Sequence, residues 1–323
     1  MNSELTVKKL NIPVVALIIF LHLFSFLAFL PMFFNWYNVI GMIVLLQITG
    51  GFGISIGYHR LLAHRAFFSF HPLMVFFHTL CGVLAFQMGP ISWARIHRAH
   101  HKYTDSPKDP HNQNKGFFYV HLGWMLEKID MSRFQVPSDL LRIKYVRLME
   151  KYYFSLNAIF FIFLFFIGYF LGSLNPLGFE MNDRSFHQLI LNGIGMMIWA
   201  GFLRIITLYH LTWSINSVCH RYGYQNFIEN RNTGSSKNNL FIGYFSFGEG
   251  WHNNHHQFPY SAKFSFHWWE FDVSWLYIKL ISKINLCKPK IFNRIKYIEQ
   301  ASLVQNSSAT SHEIFSMDEV YVK

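Results

Sequence analysis

The sequence is poor in charge and in cysteine. Of its 323 residues only 14% are charged, against roughly 25% in soluble proteins, which disfavours a soluble globular fold. The three cysteines, Cys81, Cys219 and Cys287, form no CxxC pair, so a disulfide framework, a zinc knuckle or an iron–sulfur cluster is not expected. The chain also lacks a CxxCH haem motif and a GxGxxG turn. Any electrons that its chemistry needs must therefore come from another protein.

Apolar residues are abundant instead. Hydrophobic residues make up 52% of the chain and aromatic residues 19%, while the formal net charge is +11. A positive charge favours anionic partners, but the basic residues lie between long apolar runs rather than along one exposed stripe. The pattern therefore favours membrane lipids as partners and disfavours nucleic acid.

Four apolar stretches are long enough to cross a bilayer, which needs about 20 residues. They lie at about 11–33, 37–57, 154–174 and 187–208. None has a charged residue at its centre, and Arg204, near the end of the fourth, is expected to extend to the interface. A shorter stretch, about 72–88, contains His78 and Gln87 and predicts a helix that dips into the membrane from one side. The sequence thus predicts an all-α membrane protein.

Basic residues are unevenly distributed among the connecting segments. Loop 89–152 carries eleven lysines and arginines, whereas 34–36 and 175–186 carry only Arg184. Because cytoplasmic loops are enriched in basic residues, the large loop, the segment 209–300 and both termini are predicted to be cytoplasmic.

Residues 1–300 are predicted to form one integral-membrane domain, in which a cytoplasmic helical domain caps the spans. Segment 268–284 has apolar residues at helical spacing, so it is predicted to be an amphipathic helix that lies at the membrane interface or covers the cytoplasmic domain. These residues are Trp269, Val273, Leu276, Leu280 and Ile284. The polar segment 301–323 is predicted to be a disordered tail.

Nine of the 18 histidines lie in four short strings on the predicted cytoplasmic side. The strings are HRLLAH (His59, His64), HRAHH (His97, His100, His101), NSVCH (His220) and HNNHH (His252, His255, His256). In HxxHH the three imidazoles lie on one helix face, where neutral imidazoles pointing one way make a metal site. The HxxxxH pair is about 140° apart on an α-helix, so it fits only if the helix end unwinds or the two residues serve different metals.

The number of histidines indicates two metal ions, because a single zinc ion normally takes four ligands. Imidazole suits iron, zinc or copper. A metal pair beside apolar helices is placed to act on a lipid chain, whose methylenes offer nothing to hydrolytic zinc chemistry, so a redox-active metal that activates oxygen is favoured. Isolated histidines are interpreted as structural residues, and these are His22, His71, His78, His187 and His210.

The four strings, read as HRLLAH, WARIHRAHH, NSVCH and GEGWHNNHH, resemble those of the integral-membrane acyl-CoA desaturases, the stearoyl-CoA (delta-9) group. DPHN at 109–112, GFFYVHLGW at 116–124 and HRYGY at 220–224 extend the likeness, which runs from the first span to about residue 285. The resemblance implies that the nine histidines hold two non-haem irons, with Asn216 contacting one of them through a water. NSVCH and GEGWHNNHH favour desaturases over other membrane enzymes with HxxHH strings.

The resemblance also implies residues that contact the substrate. A bent acyl tunnel would be shaped by Gln87, Trp93, Thr212 and Trp213, and the phosphates of coenzyme A would meet Arg95 and Lys128. Alternatively, the two tryptophans are interface anchors and the two basic residues only set membrane orientation. Ile96 and Ile129 stand where the animal enzymes carry an acidic and a basic residue. The acyl donor is therefore left open among acyl-CoA, an acyl-carrier protein and a lipid-bound chain.

The expected activity is the oxygen-dependent introduction of a cis double bond, at the delta-9 position, into a saturated long-chain acyl thioester. Two electrons would come from a ferredoxin, a cytochrome b5-like protein or a rubredoxin-like protein. A di-iron membrane fatty acid hydroxylase would use the same centre and is the alternative. A metal transporter is a distant alternative. Transporters usually carry ionisable residues inside the membrane along the ion path, whereas the predicted spans have none at their centres and the histidines cluster at one face.

Overall fold

The computed structural model describes residues 9–176, 185–228 and 233–292, together with the backbone of Tyr321 and Val322. Most of the described chain is helical. The helices are α1 Ile12–Phe26, α2 Trp36–Leu46, α3 Pro72–Leu84, α4 Pro90–Tyr103, α5 Trp124–Leu126, α6 Ser138–Leu141, α7 Lys144–Lys151, α8 Tyr153–Leu174, α9 Phe186–Met196, α10 Arg204–Ser217, α11 Leu240–Phe245, α12 His252–Gln257 and α13 Val273–Lys283. Short 3₁₀ turns follow α1 and precede α5 and α6.

Four helical segments are long and apolar enough to cross a membrane, which confirms the four predicted spans. They are Ile12–Phe29, Trp36–Ala63, Tyr153–Leu174 and Phe186–Ser217. The second exceeds its predicted end because a π-helical segment, Gln47–Ala63, continues α2. The fourth exceeds its predicted end because α10, which follows the π-helical segment Met197–Leu203, continues to Ser217. The two extensions carry His59 and Asn216 beyond the predicted apolar runs.

Arg204 lies in the middle of the fourth span rather than near its end, so the expectation that it extends to the interface is wrong. Its side chain is fully buried. The guanidinium donates from Nε to the carbonyl of Ala200 at 2.7 Å and from Nη1 to Oγ1 of Thr49 at 2.8 Å. One hydrogen bond within the fourth span and one to the second span thus accommodate this buried charge.

The predicted dipping helix corresponds to α3, which packs closely against the π-helical segment of the second span. A Cβ atom at Gly53 would lie 2.5 Å from the backbone of Cys81, so only glycine permits this approach. His78, buried on α3, is hydrogen-bonded through Nδ1 to the carbonyl of Phe52 at 3.0 Å, in agreement with a structural role. The depth of α3 in a membrane stays a prediction.

Helix α13 has two faces with different surroundings. Asp272 caps its first turn by accepting from the amide of Trp275 at 2.9 Å. Ile278 and Ile281 are buried in the core of the cap. Within the predicted apolar face, Leu276, Leu280 and Ile284 are instead exposed, at 50%, 61% and 64%, and Trp269 at 39%. The helix therefore covers the cap with one face and leaves an apolar face exposed, and the place of that face at the membrane interface stays a prediction.

Strands make a minor contribution to the fold. Strand β1, Phe67–Phe70, pairs antiparallel with β2, Cys287–Pro289. Strand β3, Ile291–Phe292, pairs with β4, Tyr321–Val322. The rest of the predicted tail 301–323 lies outside the described residues, so its disorder stays a prediction.

Candidate metal centre

The nine clustered histidines come together in two buried groups. The first group, here the five-histidine group, consists of His59, His64, His97, His101 and His255. The second, the four-histidine group, consists of His100, His220, His252 and His256. In each group the ligand atoms lie within 4.8 Å of one another. Residues almost 200 positions apart thus form two adjacent candidate sites.

The distances between imidazole nitrogens fit a metal ion in each group. All nine histidines face inward with Nε2, and neighbouring Nε2 atoms are 2.7–3.2 Å apart. Two ligands at about 2.1 Å from an ion, separated by about 90–110°, are about 3.0–3.4 Å apart. Hydrogen bonds among themselves cannot satisfy so many inward nitrogens, since each neutral imidazole carries one proton. A cation on each group satisfies them together.

Each HxxHH string divides its histidines between the two groups, which corrects the expectation of one shared face. On α4, His97 and His101 are four residues apart and enter the five-histidine group, whereas His100 enters the other. Successive residues of an α-helix point about 100° apart, so His100 and His101 face different sites. On α12, the pair at i and i+4 joins the four-histidine group and His255 crosses to the five-histidine group.

The HxxxxH pair serves one group because the helix widens there. His59 lies in the π-helical segment, where backbone bonds run from i to i+5. The amide of His64 donates to the carbonyl of His59 at 3.0 Å, so the turn between the two residues is wider than an α-helical turn. Of the two alternatives for this pair, a change in the helix end is therefore the one that the structure supports.

Outer partners hold several imidazoles with Nε2 inward. Nδ1 of His100 is 3.0 Å from both carboxylate oxygens of Asp109. Nδ1 of His59 is hydrogen-bonded to the carboxylate of Glu249, and that of His220 lies 3.2 Å from Oγ of Ser235. The two carboxylates can only accept, so they place the proton on Nδ1 of His100 and His59 and leave Nε2 free to bind a metal.

Burial keeps the clustered imidazoles in the neutral form that binds metal. Burial is the main cause of pKa values well below the ordinary histidine range, and nearby histidines, joined for His64 by Arg98 and Arg60, are the lesser cause. This holds for His64, His97, His101, His220, His252 and His255. Burial alone would raise the pKa of Asp109, but His100 and His111 outweigh it and lower that pKa to about 2. Asp109 is therefore an anion at neutral pH.

Sequence reasoning missed three residues that support the centre. Asp109 and Glu249 stand in the strings DPHN and GEGWHNNHH, which were used only for their likeness. His111, also in DPHN, is buried with its ring 4.1 Å from that of His100. Carboxylates next to histidine-rich strings were the signal available, because ligating histidines commonly donate to a carboxylate.

A cavity of about 560 Å³ reaches the five-histidine group. His97 lines it, with Trp93 stacked on that imidazole at 4.9 Å between ring centroids. Nε2 of Gln87 donates to Oγ1 of Thr212 at 2.9 Å across the cavity wall. The implied tunnel residues and the implied water-mediated ligand all lie along this lining, namely Gln87, Trp93, Thr212, Trp213 and Asn216. Their roles stay predictions.

The two residues implied to meet coenzyme A lie elsewhere. The guanidinium of Arg95 donates to the carbonyl of Phe134 at 2.9 and 2.6 Å. Lys128 is exposed, and its amide donates to the carbonyl of Lys9 at 2.9 Å. Neither is among the described residues that line the cavity.

Comparison with known proteins identifies the family. The family model described as fatty acid desaturase matches residues 34–277. The chain belongs to the fatty acid desaturase family. The chain is 36% identical to an sn-1 stearoyl-lipid 9-desaturase from Synechocystis sp. over 83% of this chain and 76% of that protein.

Other desaturases of the family are similar over most of the chain. A palmitoyl-monogalactosyldiacylglycerol delta-7 desaturase of Arabidopsis thaliana is 34% identical over 86% of this chain and 68% of its own length. An acyl-CoA 5-desaturase of Anemone leveillei is 33% identical over 79% and 72%. Membership supports an oxidoreductase that desaturates fatty acyl chains, with a metal centre formed by histidines.

Proposed function

We propose that this desaturase introduces a cis double bond at the delta-9 position of a saturated long-chain acyl group. The observation that carries the proposal is the contact between cavity and centre, since His97 belongs to both. An acyl chain in the cavity would lie beside the five-histidine group. Position 9 is supported by the name of the Synechocystis relative, whereas the other two are named for positions 7 and 5.

The proposed cofactor is a pair of irons, one in each histidine group. Iron held there would supply redox chemistry with O2, which removes one hydrogen from each of two adjacent methylenes. Overall, O2, two electrons, two protons and the two removed hydrogens give two waters and the alkene. Since the chain carries no haem, flavin or iron–sulfur motif, the electrons would come from a ferredoxin, a cytochrome b5-like protein or a rubredoxin-like protein.

The residues of the chain would bind and orient the substrate. Trp93 and Trp213 would confine the acyl chain beside His97, while the hydrogen-bonded pair Gln87 and Thr212 would fix its bend. Holding two methylenes next to the centre favours their reaction over that of other carbons. Because the lining is largely apolar, water would be excluded from the chain.

Cells that express the protein are expected to accumulate a new monounsaturated fatty acid, since the cavity adjoins the five-histidine group. Gas chromatography with mass spectrometry would detect it and give the bond position. The His100→Ala variant, which lacks a proposed ligand, should yield none. Hydroxylated acids carrying oxygen from labelled O2 would instead identify a hydroxylase. An unchanged fatty acid profile from folded, iron-loaded protein supplied with electrons would refute the proposed reaction.

We also propose that the centre and both termini are cytoplasmic, as the basic residues of loop 89–152 indicate. A cysteine introduced at exposed Lys128 should react with an impermeant maleimide in inside-out vesicles but not in intact cells. A cysteine at Phe34, 51% exposed between the first two spans, should show the opposite pattern. The native cysteines are buried and give little background. Labelling of Lys128→Cys in intact cells would show that the orientation is the reverse of the one proposed.

A further inference from the structure

The acyl carrier is left open by the names of the relatives, which include both lipid-bound and coenzyme A-bound substrates. We infer that the donor is a membrane glycerolipid, whose acyl chain reaches the cavity sideways between α1 and the start of α8. The inference rests on the proposed function and concerns the carrier and the route of its chain. It follows from which helices line the cavity, where the lining becomes exposed and which charges surround the opening.

One wall of the cavity is the inward face of a membrane-spanning helix. Val14, Leu17 and Ile18 of α1 line the cavity, and their spacing places them on one side of the helix. At 1.5 Å per residue, Ile18 lies about 9 Å along the axis from Ile12, the first residue of the span. The cavity therefore extends to the depth of lipid acyl chains.

The opposite wall is the start of the third span. Tyr153 and Phe154, the first two residues of α8, also line the cavity. Tyr153 is 8% exposed, whereas Phe154 is 69% exposed. The lining thus changes from buried to exposed at the end of a transmembrane helix. An opening there lies near the headgroup region of the bilayer, where the ester-linked acyl chain of a lipid begins.

The start of α1 is fixed beside this opening by the cap. The amide of Asn11 donates to the carbonyl of Leu126 at 2.7 Å, and the amide of Lys128 donates to the carbonyl of Lys9 at 2.9 Å. These bonds place Asn11 and Glu127 together on the cavity lining. A polar rim above an apolar wall matches a lipid molecule, whose ester and headgroup lie above its chains.

The charges on the rim disfavour coenzyme A. The charged residues that line the cavity are Glu127, Glu150 and Lys151. The side chain of Glu150 accepts from the amides of Ile91 and Ser92, at 2.8 and 3.3 Å, at the start of α4. The lining thus offers a chain of phosphates one basic residue, Lys151, beside two acidic ones. An ester with an uncharged or zwitterionic headgroup needs no set of basic residues there.

The carrier is tested with purified, iron-loaded protein in nanodiscs, supplied with ferredoxin, its reductase and NADPH. One set contains phosphatidylcholine with ¹³C-labelled stearoyl chains. The other contains unlabelled dioleoyl lipid and receives ¹³C-stearoyl-CoA or ¹³C-stearoyl-acyl-carrier protein. Labelled monounsaturated product from the lipid set alone is the expected result. Product from a soluble donor alone would overturn the inference. Product from neither set would refute the proposed desaturation itself.

The route is tested by narrowing the opening. The Val14→Trp variant is expected to lower conversion of lipid-bound chains at least about tenfold, because the larger side chain would fill the opening and keep the acyl chain from its reactive position. Ile19→Trp is the matched control, since Ile19 lies on the same helix, is 54% exposed and does not line the cavity. Its conversion should equal that of the wild type. Equal conversion by Val14→Trp would rule out this route.

A binding measurement separates blocked access from misfolding. Phosphatidylcholine with a photoreactive group in mid-chain should cross-link to the peptide that contains Trp93 in the wild type and in Ile19→Trp. In Val14→Trp that cross-link should fall with the iron content unchanged. Undiminished cross-linking in Val14→Trp would show that chains arrive by another path.

Discussion

Replacing His256 with alanine is expected to abolish desaturation and to remove one of the two proposed irons. The Nε2 atom of His256 lies 3.2 Å from that of His100 and 3.0 Å from that of His252. Without it the four-histidine group keeps three imidazoles. Loss of an outer partner alone lowers metal affinity by about 10–100-fold, and loss of a direct ligand lowers it further.

His101→Ala is expected to abolish activity with a smaller loss of iron. Its group has five histidines, so four remain to hold the ion. The two variants therefore differ in metal content while sharing the loss of product. Iron per chain in the purified proteins, measured by plasma mass spectrometry, and fatty acid profiles of the expressing cells would show this contrast.

His187→Ala is the control for both variants, because His187 is exposed and belongs to neither group. It should retain wild-type iron and wild-type product. Wild-type iron and product in His256→Ala would show that the four-histidine group is not a metal site. A greater iron loss in His101→Ala than in His256→Ala would contradict the division into groups of five and four.

The sequence predicted the spans and the nine histidines because both depend on local pattern. Long apolar runs indicate bilayer-spanning segments, and the HxxHH spacing keeps the three imidazoles of a string close together. How the nine divide was not predictable from that pattern. It depends on α4 and α12 approaching each other so that His255 meets His101 and His100 meets His256.

Backbone geometry explains two further differences. The pair His59 and His64 does not fit one face of an α-helix, and a π-helical turn brings both imidazoles into the five-histidine group. Arg204 was expected near the interface because the apolar run was judged to end at about residue 208. The span continues to Ser217, and the partner that accommodates the charge, Thr49, is 155 residues away. No local pattern encodes either feature.

Glu249→Gln is expected to destabilise the protein and to loosen metal binding in the five-histidine group. The buried carboxylate accepts from Nη1 of Arg60 at 2.6 Å, from Oγ of Ser55 at 2.5 Å and from Nδ1 of His59. An amide offers one oxygen to these donors and turns a donor of its own toward them. Breaking a buried ion pair lowers the free energy of unfolding by about 3–5 kcal/mol. We expect the low end of this range, because Arg60 would still form an ion pair with Asp272 at 3.2 Å.

Thermal unfolding in detergent and iron content before and after chelation would measure both effects of Glu249→Gln. Asp130→Asn is the matched control, since it removes a carboxylate from an exposed pair with Arg133. The control should unfold at the same temperature as the wild type and keep its iron, because water screens exposed ion pairs. If Glu249→Gln melted like the control but lost iron, the carboxylate would orient His59 without stabilising the fold. If it lost neither stability nor iron, the buried pair would support neither the fold nor the centre.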